Sequence, residues 1–228
     1  MEKSDLLNPP SLNTKKQQRI RLLANGLVTV YLLCIIIFAI LADIRTPSRF
    51  LWSVPVIVVS CLDIYFLTRS LLQQPHNTDI RLSTFIVSVG ATFGFSVWVM
   101  ILEPKQFVFA NLAVVQQFGK LISLLPYPVV IWSLLCLKDC LTVIPEAHAI
   151  VAHGPYKYSR HPLYVCYIMW AVTSFMMYPS WPMLSASIMQ MVFLFLRLRR
   201  EERLLWRTFP EYSLYCKQVG LLWKFGRI

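Results

Sequence analysis

Several stretches of this chain stay apolar for about twenty residues at a time, and that limits the available folds more than any other feature. In water so much unbroken apolar surface has nowhere to go. In a bilayer, roughly 20 apolar residues are what a helix needs to cross the hydrocarbon. The runs are apolar on all sides rather than alternating, which argues against short strands closing into a barrel. With 57% hydrophobic and only 14% charged residues, the chain falls outside the usual balance of soluble domains. The expectation is an all-α, polytopic integral membrane protein with about five to six transmembrane segments.

Taken in order, residues 1–20 read as a polar, basic N-terminal leader without apolar periodicity, expected to be poorly ordered or to lie on the surface. Its Pro9 and Pro10, and the lack of a short apolar core before a small-residue cleavage site, do not fit a signal peptide. Residues 21–145 form a platform of four spans. They are placed near Leu22–Ala42, Phe50–Leu72 (with Pro55 close to its start), Leu82–Leu102 and Leu124–Ile144. Residues 106–122 are less apolar and read as an interfacial or re-entrant segment. Gly90 and Gly94 make a small-xxx-small pattern that lets two helices approach closely. Asp63 interrupts the second span. It is either a polar site residue or an acid paired with a neighbouring helix or interface.

Residues 146–228 differ in character. A polar, aromatic island from His148 to Tyr164 leads into a helical hairpin. Its arms, Pro162–Met177 and Met183–Leu196, are each about 15 residues, or ~23 Å at 1.5 Å per residue, short of a ~30 Å hydrocarbon core. The cluster Arg197-Leu198-Arg199-Arg200-Glu201-Glu202 closes the second arm. Residues 203–228 read as a cytosolic amphipathic C-terminal helix and tail.

The net charge of +11 follows from topology without invoking nucleic acid. With both termini cytosolic, eighteen of the 22 Lys and Arg residues fall on the inner side. Both polar clusters then share that face. The membrane is a bacterial inner membrane or an endoplasmic reticulum, and the oligomeric state is left open. The six cysteines show neither a disulfide framework nor a zinc-site spacing. Cys136 and Cys140 are four apart but have no His beside them, and buried thiols acting as small apolar residues account for them.

The polar island carries chemistry. Gly154-Pro155 enforces a tight turn, and Pro162 suits the first turn of the next helix. The unpaired N–H groups at such a helix start favour a carboxylate or phosphate, and Tyr156, Arg160, His161 and Tyr164 add donors. Four residues beyond Arg197, Glu201 shares its helical face. Glu201 offers a carboxylate to an ammonium or a ribose hydroxyl, and Arg197 offers a two-pronged cation to a carboxylate. Together these suit a zwitterion such as S-adenosyl-L-methionine (SAM). The alternative is that the basic residues merely mark the inner face and the acids balance them.

His148-Ala149-Ile150-Val151, Gly154-Pro155-Tyr156, Arg160-His161-Pro162-Leu163-Tyr164, Arg197 with Glu201-Glu202, and Phe209-Pro210-Glu211-Tyr212 with Tyr215 resemble, in that order, the isoprenylcysteine carboxyl methyltransferase family. Related membrane phospholipid methyltransferases share much of the pattern. The resemblance covers residues 146–219. It implies SAM-dependent methyl transfer to a hydrophobic or lipid-linked acceptor, with a carboxylate favoured. It also implies SAM contacts from His148, Ala149, Ile150, Val151, Tyr156, His161, Pro162, Leu163, Tyr164 and Glu201, while Arg197 faces the acceptor as the catalytic and substrate-binding residue. Three departures stand out. Cys166 replaces a usual glycine, Pro210 follows Phe209 where the family tends to have glycine, and a polar residue expected before His148 has only Thr142 as a candidate. An amine acceptor would need a base, for which Glu202 and Asp63 are available. A phospholipid amine methyltransferase, an NADPH-dependent sterol-type reductase and a non-catalytic membrane protein are the alternatives.

Overall fold

The computed structural model describes residues 14–46, 50–102 and 113–222. Eight α-helices hold about three quarters of those residues: α1 Thr14–Arg45, α2 Phe50–Leu71, α3 Leu82–Leu102, α4 Ala113–Ile122, α5 Pro126–Leu137, α6 Pro162–Met177, α7 Trp181–Thr208 and α8 Tyr212–Gln218. In hydrocarbon every backbone polar group needs an internal partner, and a helix provides that within one segment. Outward-facing Leu27, Val30, Ile37 and Phe38 on α1 stay exposed, as side chains facing lipid rather than protein should. Among the described residues, four helical units are long and apolar enough to cross a bilayer: Gln17–Arg45, Trp52–Leu71, Ala113–Cys140 and Trp181–Thr208. Leu82–Trp98 and Pro162–Met177 are apolar but shorter.

α2 and α3 lie where the hydropathy pattern puts them. Three other boundaries differ, each for a physical reason. The leader is not irregular up to residue 20, because α1 begins at Thr14. Its Gln, Lys and Arg residues are good helix formers, and Gln17 donates to Thr78 Oγ1 at 2.6 Å. Residues 1–13 lie outside the described residues, as do 103–112 and 223–228. The expected interfacial segment is not separate from the fourth span. α4 runs through a Ser123–Leu125 turn straight into α5, and the pair forms one unit long enough to cross. The second hairpin arm does not stop at Leu196. α7 is 28 residues and carries the Arg/Glu cluster within it, so only α6, at 16 residues, is the short arm. Residues 203–208 therefore belong to α7, and the C-terminal helix shrinks to α8. Apart from one short ladder the fold is all-helical, as expected. Two short strands, β1 Asn77–Thr78 and β2 Glu146–Ala147, pair antiparallel with Asn77 opposite Ala147 and Thr78 opposite Glu146. Two-residue strands leave no periodicity to read.

α3 packs along α7, α1 along α2, and α6 against α4, α5 and α7. The α3–α7 contact uses the small-residue pattern. A Cβ added to Gly90 would lie 2.6 Å from Phe193 Cε1, and one on Gly94 would lie 3.5 Å from Met189 Cε. Gln190 crosses the same seam, donating to the Ala91 carbonyl at 2.8 Å. Gly90→Val should therefore destabilise the bundle by about 1–3 kcal/mol through overpacking. Adding Phe193→Leu should recover much of the loss, as read by thermal unfolding in detergent.

Candidate active site

At one end of the bundle the chain from Lys138 to His161 leaves helical geometry and wraps the ends of α5, α6 and α7. Lys138–Cys140 is a single 3-10 turn after α5. Cys136 and Cys140 thus do not share one regular helical face. β2 then carries the chain inward, and a second 3-10 turn, Gly154–Lys157, follows. Gly154 has φ +62°, and a Cβ there would lie 2.5 Å from Cys136 Sγ. Both conditions require glycine. His153 is exposed at the mouth of that turn, and its carbonyl accepts from Tyr156 N–H at 3.3 Å. Pro162 opens α6 as its first helical residue, with His161 as the residue before it in a non-helical conformation. Pro162 has no N–H, and the amides of Tyr164 and Val165 both turn to the His161 carbonyl. The Leu163 N–H is left as the donor at this helix start.

These segments enclose a cavity of ≈ 160 Å³. The ten residues that the resemblance implies for SAM, together with Arg197, all line it. His148, Ala149, Ile150 and Val151 line it from the loop after β2, and Tyr156 from the 3-10 turn. His161, Pro162, Leu163 and Tyr164 line it from the start of α6, and Arg197 and Glu201 from α7. The lining is divided in character. Ile150, Val151, Leu204 and Leu205 are apolar, whereas Glu201, His148 and the tyrosines are polar. Arg197 Nε donates to Glu201 Oε1 at 3.0 Å, and its Nη2 donates to the Thr142 carbonyl at 2.9 Å. The Thr142 backbone, rather than a polar side chain upstream of His148, thus anchors the arginine.

A second cavity of ≈ 340 Å³ lies among α1, α2, α3, α5, α6 and α7. Its walls are mostly apolar, among them Val28, Leu32, Val59, Phe95 and Leu194. The two cavities share Leu141, Thr142, Tyr167 and Arg197. Arg197 therefore stands at the junction between a polar chamber at the end of the bundle and an apolar chamber within it. Asp63 is half-buried and lines the apolar chamber. Among the described residues no cation pairs with it.

Glu202 occupies a different place from the one a free base would need. Its carboxylate accepts from His161 Nε2 and Tyr212 Oη, both at 2.7 Å, and from Arg160 Nη1. It is the buckle that holds the start of α6 and the whole of α8 onto α7. His161 lies against both acids, with its Nδ1 3.8 Å from Glu201 Oε2. Burial, with the Glu202 carboxylate beside it, pushes the Tyr212 hydroxyl far above its ordinary range, so it remains a donor. Arg160 N–H also donates to the Gly220 carbonyl, and Tyr215 Oη to the Tyr156 carbonyl. Together these close α8 over the cavity. Glu202→Ala leaves Arg160 and His161 without their anion and should cost about 3 kcal/mol or more. Proteolysis near α8 should accelerate in step.

Cys166, one of the three departures from the family pattern, faces away from the cavity. It is buried in the apolar cluster of Val59, Phe66, Val130, Leu134 and Leu163, with its thiol directed at the Pro126 carbonyl. Its small size serves the α5–α6 contact rather than the cavity. Sequence reasoning missed Glu146, Leu204 and Leu205, which also line the polar chamber, and took Tyr212 and Tyr215 as motif residues without assigning them there. For Glu146 a signal existed. It lies two residues before His148 in an extended segment, so both point to one side.

Residues 132–207 match the model of the isoprenylcysteine carboxyl methyltransferase (ICMT) family. That stretch runs from Trp132 on α5 to Arg207 on α7 and includes most of the walls of the polar chamber. Over that stretch the chain is similar to this methyltransferase family. No curated protein matches the chain.

Proposed function

We propose that this chain transfers the sulfonium methyl of SAM to a carboxylate on a hydrophobic, membrane-embedded acceptor of the isoprenylcysteine type. One observation carries the reading: a polar chamber and an apolar chamber adjoin, and the one charged residue among those described that lines both is Arg197. The polar chamber suits SAM. Glu201 offers the ammonium an anion, and the Leu163 N–H at the start of α6 offers the carboxylate a donor. Ile150, Val151, Tyr156, Leu204 and Leu205 supply apolar and aromatic surface for a purine. When bound, SAM supplies an electrophilic methyl group. Arg197 then holds the acceptor carboxylate at the junction, so that one oxygen lines up with that methyl. The apolar walls exclude water and house the hydrocarbon chain. A carboxylate nucleophile carries no proton, so no base is required, and both charges are quenched as the methyl moves. With both termini on the cytosolic side, SAM enters from water and the lipid from the bilayer.

One observation favours a second reading. Asp63 lines the apolar chamber and is a candidate base for an amine acceptor, whereas Glu202 is already held by three donors. The two readings separate in one assay. Purified protein is given methyl-labelled SAM with an isoprenylcysteine analogue or with a phospholipid amine. A methyl ester, released as methanol by mild base, supports the carboxylate reading. A base-stable N-methyl product overturns it in favour of the amine.

A further inference from the structure

The sequence treats α1 as platform, but its inner end reaches the polar chamber through a chain of buried charged groups. Arg21 lies on α1, just beyond the apolar run. Its Nε is 2.7 Å from Glu146 Oε1, with the two side chains only 9% and 3% exposed. Its Nη2 also donates to the carbonyls of Ser70 and Gln73 at the end of α2. The other carboxylate oxygen, Glu146 Oε2, is 2.9 Å from His148 Nε2, and that ring is 7% exposed. Both Glu146 and His148 line the polar chamber. A second tie runs beside the first. Gln17 of α1 donates to Thr78, which pairs across the ladder with Glu146.

Elementary chemistry fixes the direction of the last bond. A carboxylate ion has no proton to give, so Nε2–H must donate. The neutral ring then presents Nδ1 as an acceptor. Removing the carboxylate frees both the ring orientation and the tautomer. Arg21 in turn gives the buried Glu146 carboxylate its counter-charge. An isolated buried carboxylate would be strongly unfavourable, and a partner held by two backbone carbonyls cannot swing away.

We propose that Glu146 is a positioning residue, locked by Arg21 of α1, that sets the orientation and tautomer of His148 for binding in the polar chamber. The inference rests on the reading that this chamber takes SAM. It makes the first helix part of the cofactor site, although that helix lies outside the stretch that matches the family. It also explains why α1 continues as helix on the inner side of its apolar run.

Two paired variants test it. Arg21→Met with Glu146→Leu removes the charges together, leaving neither one stranded, and deletes the acceptor. Arg21→Met with Glu146→Gln removes the same charges but keeps an acceptor for Nε2–H. Both lose the same bonds from Arg21 to α2, so that effect cancels in the comparison. SAM affinity by titration calorimetry should fall roughly ten-fold in the first pair, the worth of one well-placed hydrogen bond. The second pair should recover to within about three-fold of wild type. The loss should appear in the KM for SAM rather than in kcat at saturating SAM. If neither pair folds, Arg21→Lys keeps the charge but loses the fork, and should weaken SAM binding a few-fold with the acceptor KM unmoved. Equal SAM affinity in the two pairs, or in Arg21→Lys and wild type, overturns the inference while the proposed function stands. No SAM binding by wild-type protein overturns both.

Discussion

Glu201→Ala abolishes detectable SAM binding. The acid lines the polar chamber, where Arg197 already pairs with it at 3.0 Å and His161 Nδ1 lies 3.8 Å away. Among the described residues lining that chamber, Glu146 is tied to Arg21 and His148. Glu201 is therefore the anion best placed for an ammonium group. Its loss removes that partner and leaves Arg197 as an uncompensated cation facing a cationic ligand. Truncating one member of a buried charge pair typically costs about 2–5 kcal/mol. That corresponds to a fall in affinity of roughly 30- to 4,000-fold. Titration of SAM into the detergent-solubilised variant reads the loss. Glu201→Gln should fall between the two, because it keeps an acceptor without the charge. Affinity within three-fold of wild type in Glu201→Ala would remove this residue from the site.

Arg197→Ala has a different signature: it binds SAM and does not turn over. Arg197 belongs to the walls of both chambers and is anchored by Glu201 and the Thr142 carbonyl. Without it Glu201 loses a competitor for the ligand ammonium, so SAM affinity holds or rises. The acceptor carboxylate loses the group that aligns it, and misplacement of a reacting group by about 1 Å already costs on the order of 10²-fold. kcat/KM for the acceptor should fall by at least that factor. Arg197→Lys should recover only part of it, since a point charge cannot replace a two-pronged fork. Equal losses of SAM binding and turnover would move Arg197 out of the junction role.

The sequence made the platform legible because hydrocarbon imposes one rule on every span. α2 and α3 fall at their expected places for that reason. The joined α4–α5 unit was harder, since Gln116, Gln117 and Lys120 dilute its apolarity and Pro126 suggests a break. In fact Pro126 opens α5 directly after a turn. The polar chamber was legible in its expected site residues but not in its scaffolding. Tyr156, His161, Tyr164, Arg197 and Glu201 stand in patterns that local chemistry can justify, and His148 to Val151 in a motif that only the family resemblance supplies. Glu202 and Glu146 owe their positions to partners far away in the chain, Arg160, Tyr212 and Arg21, and no local pattern announces such pairs. For the same reason Glu202 reads as a possible base in the sequence and as a structural buckle in the fold. Cys166 shows the converse: a departure from a motif next to the site proves to face the core.

The most direct measurement is calorimetric titration of purified wild-type protein in detergent with SAM and, separately, with NADPH. Saturable binding of SAM at one site, with no heat from NADPH, is the expected result. Binding of NADPH in place of SAM, or of neither, would contradict the account.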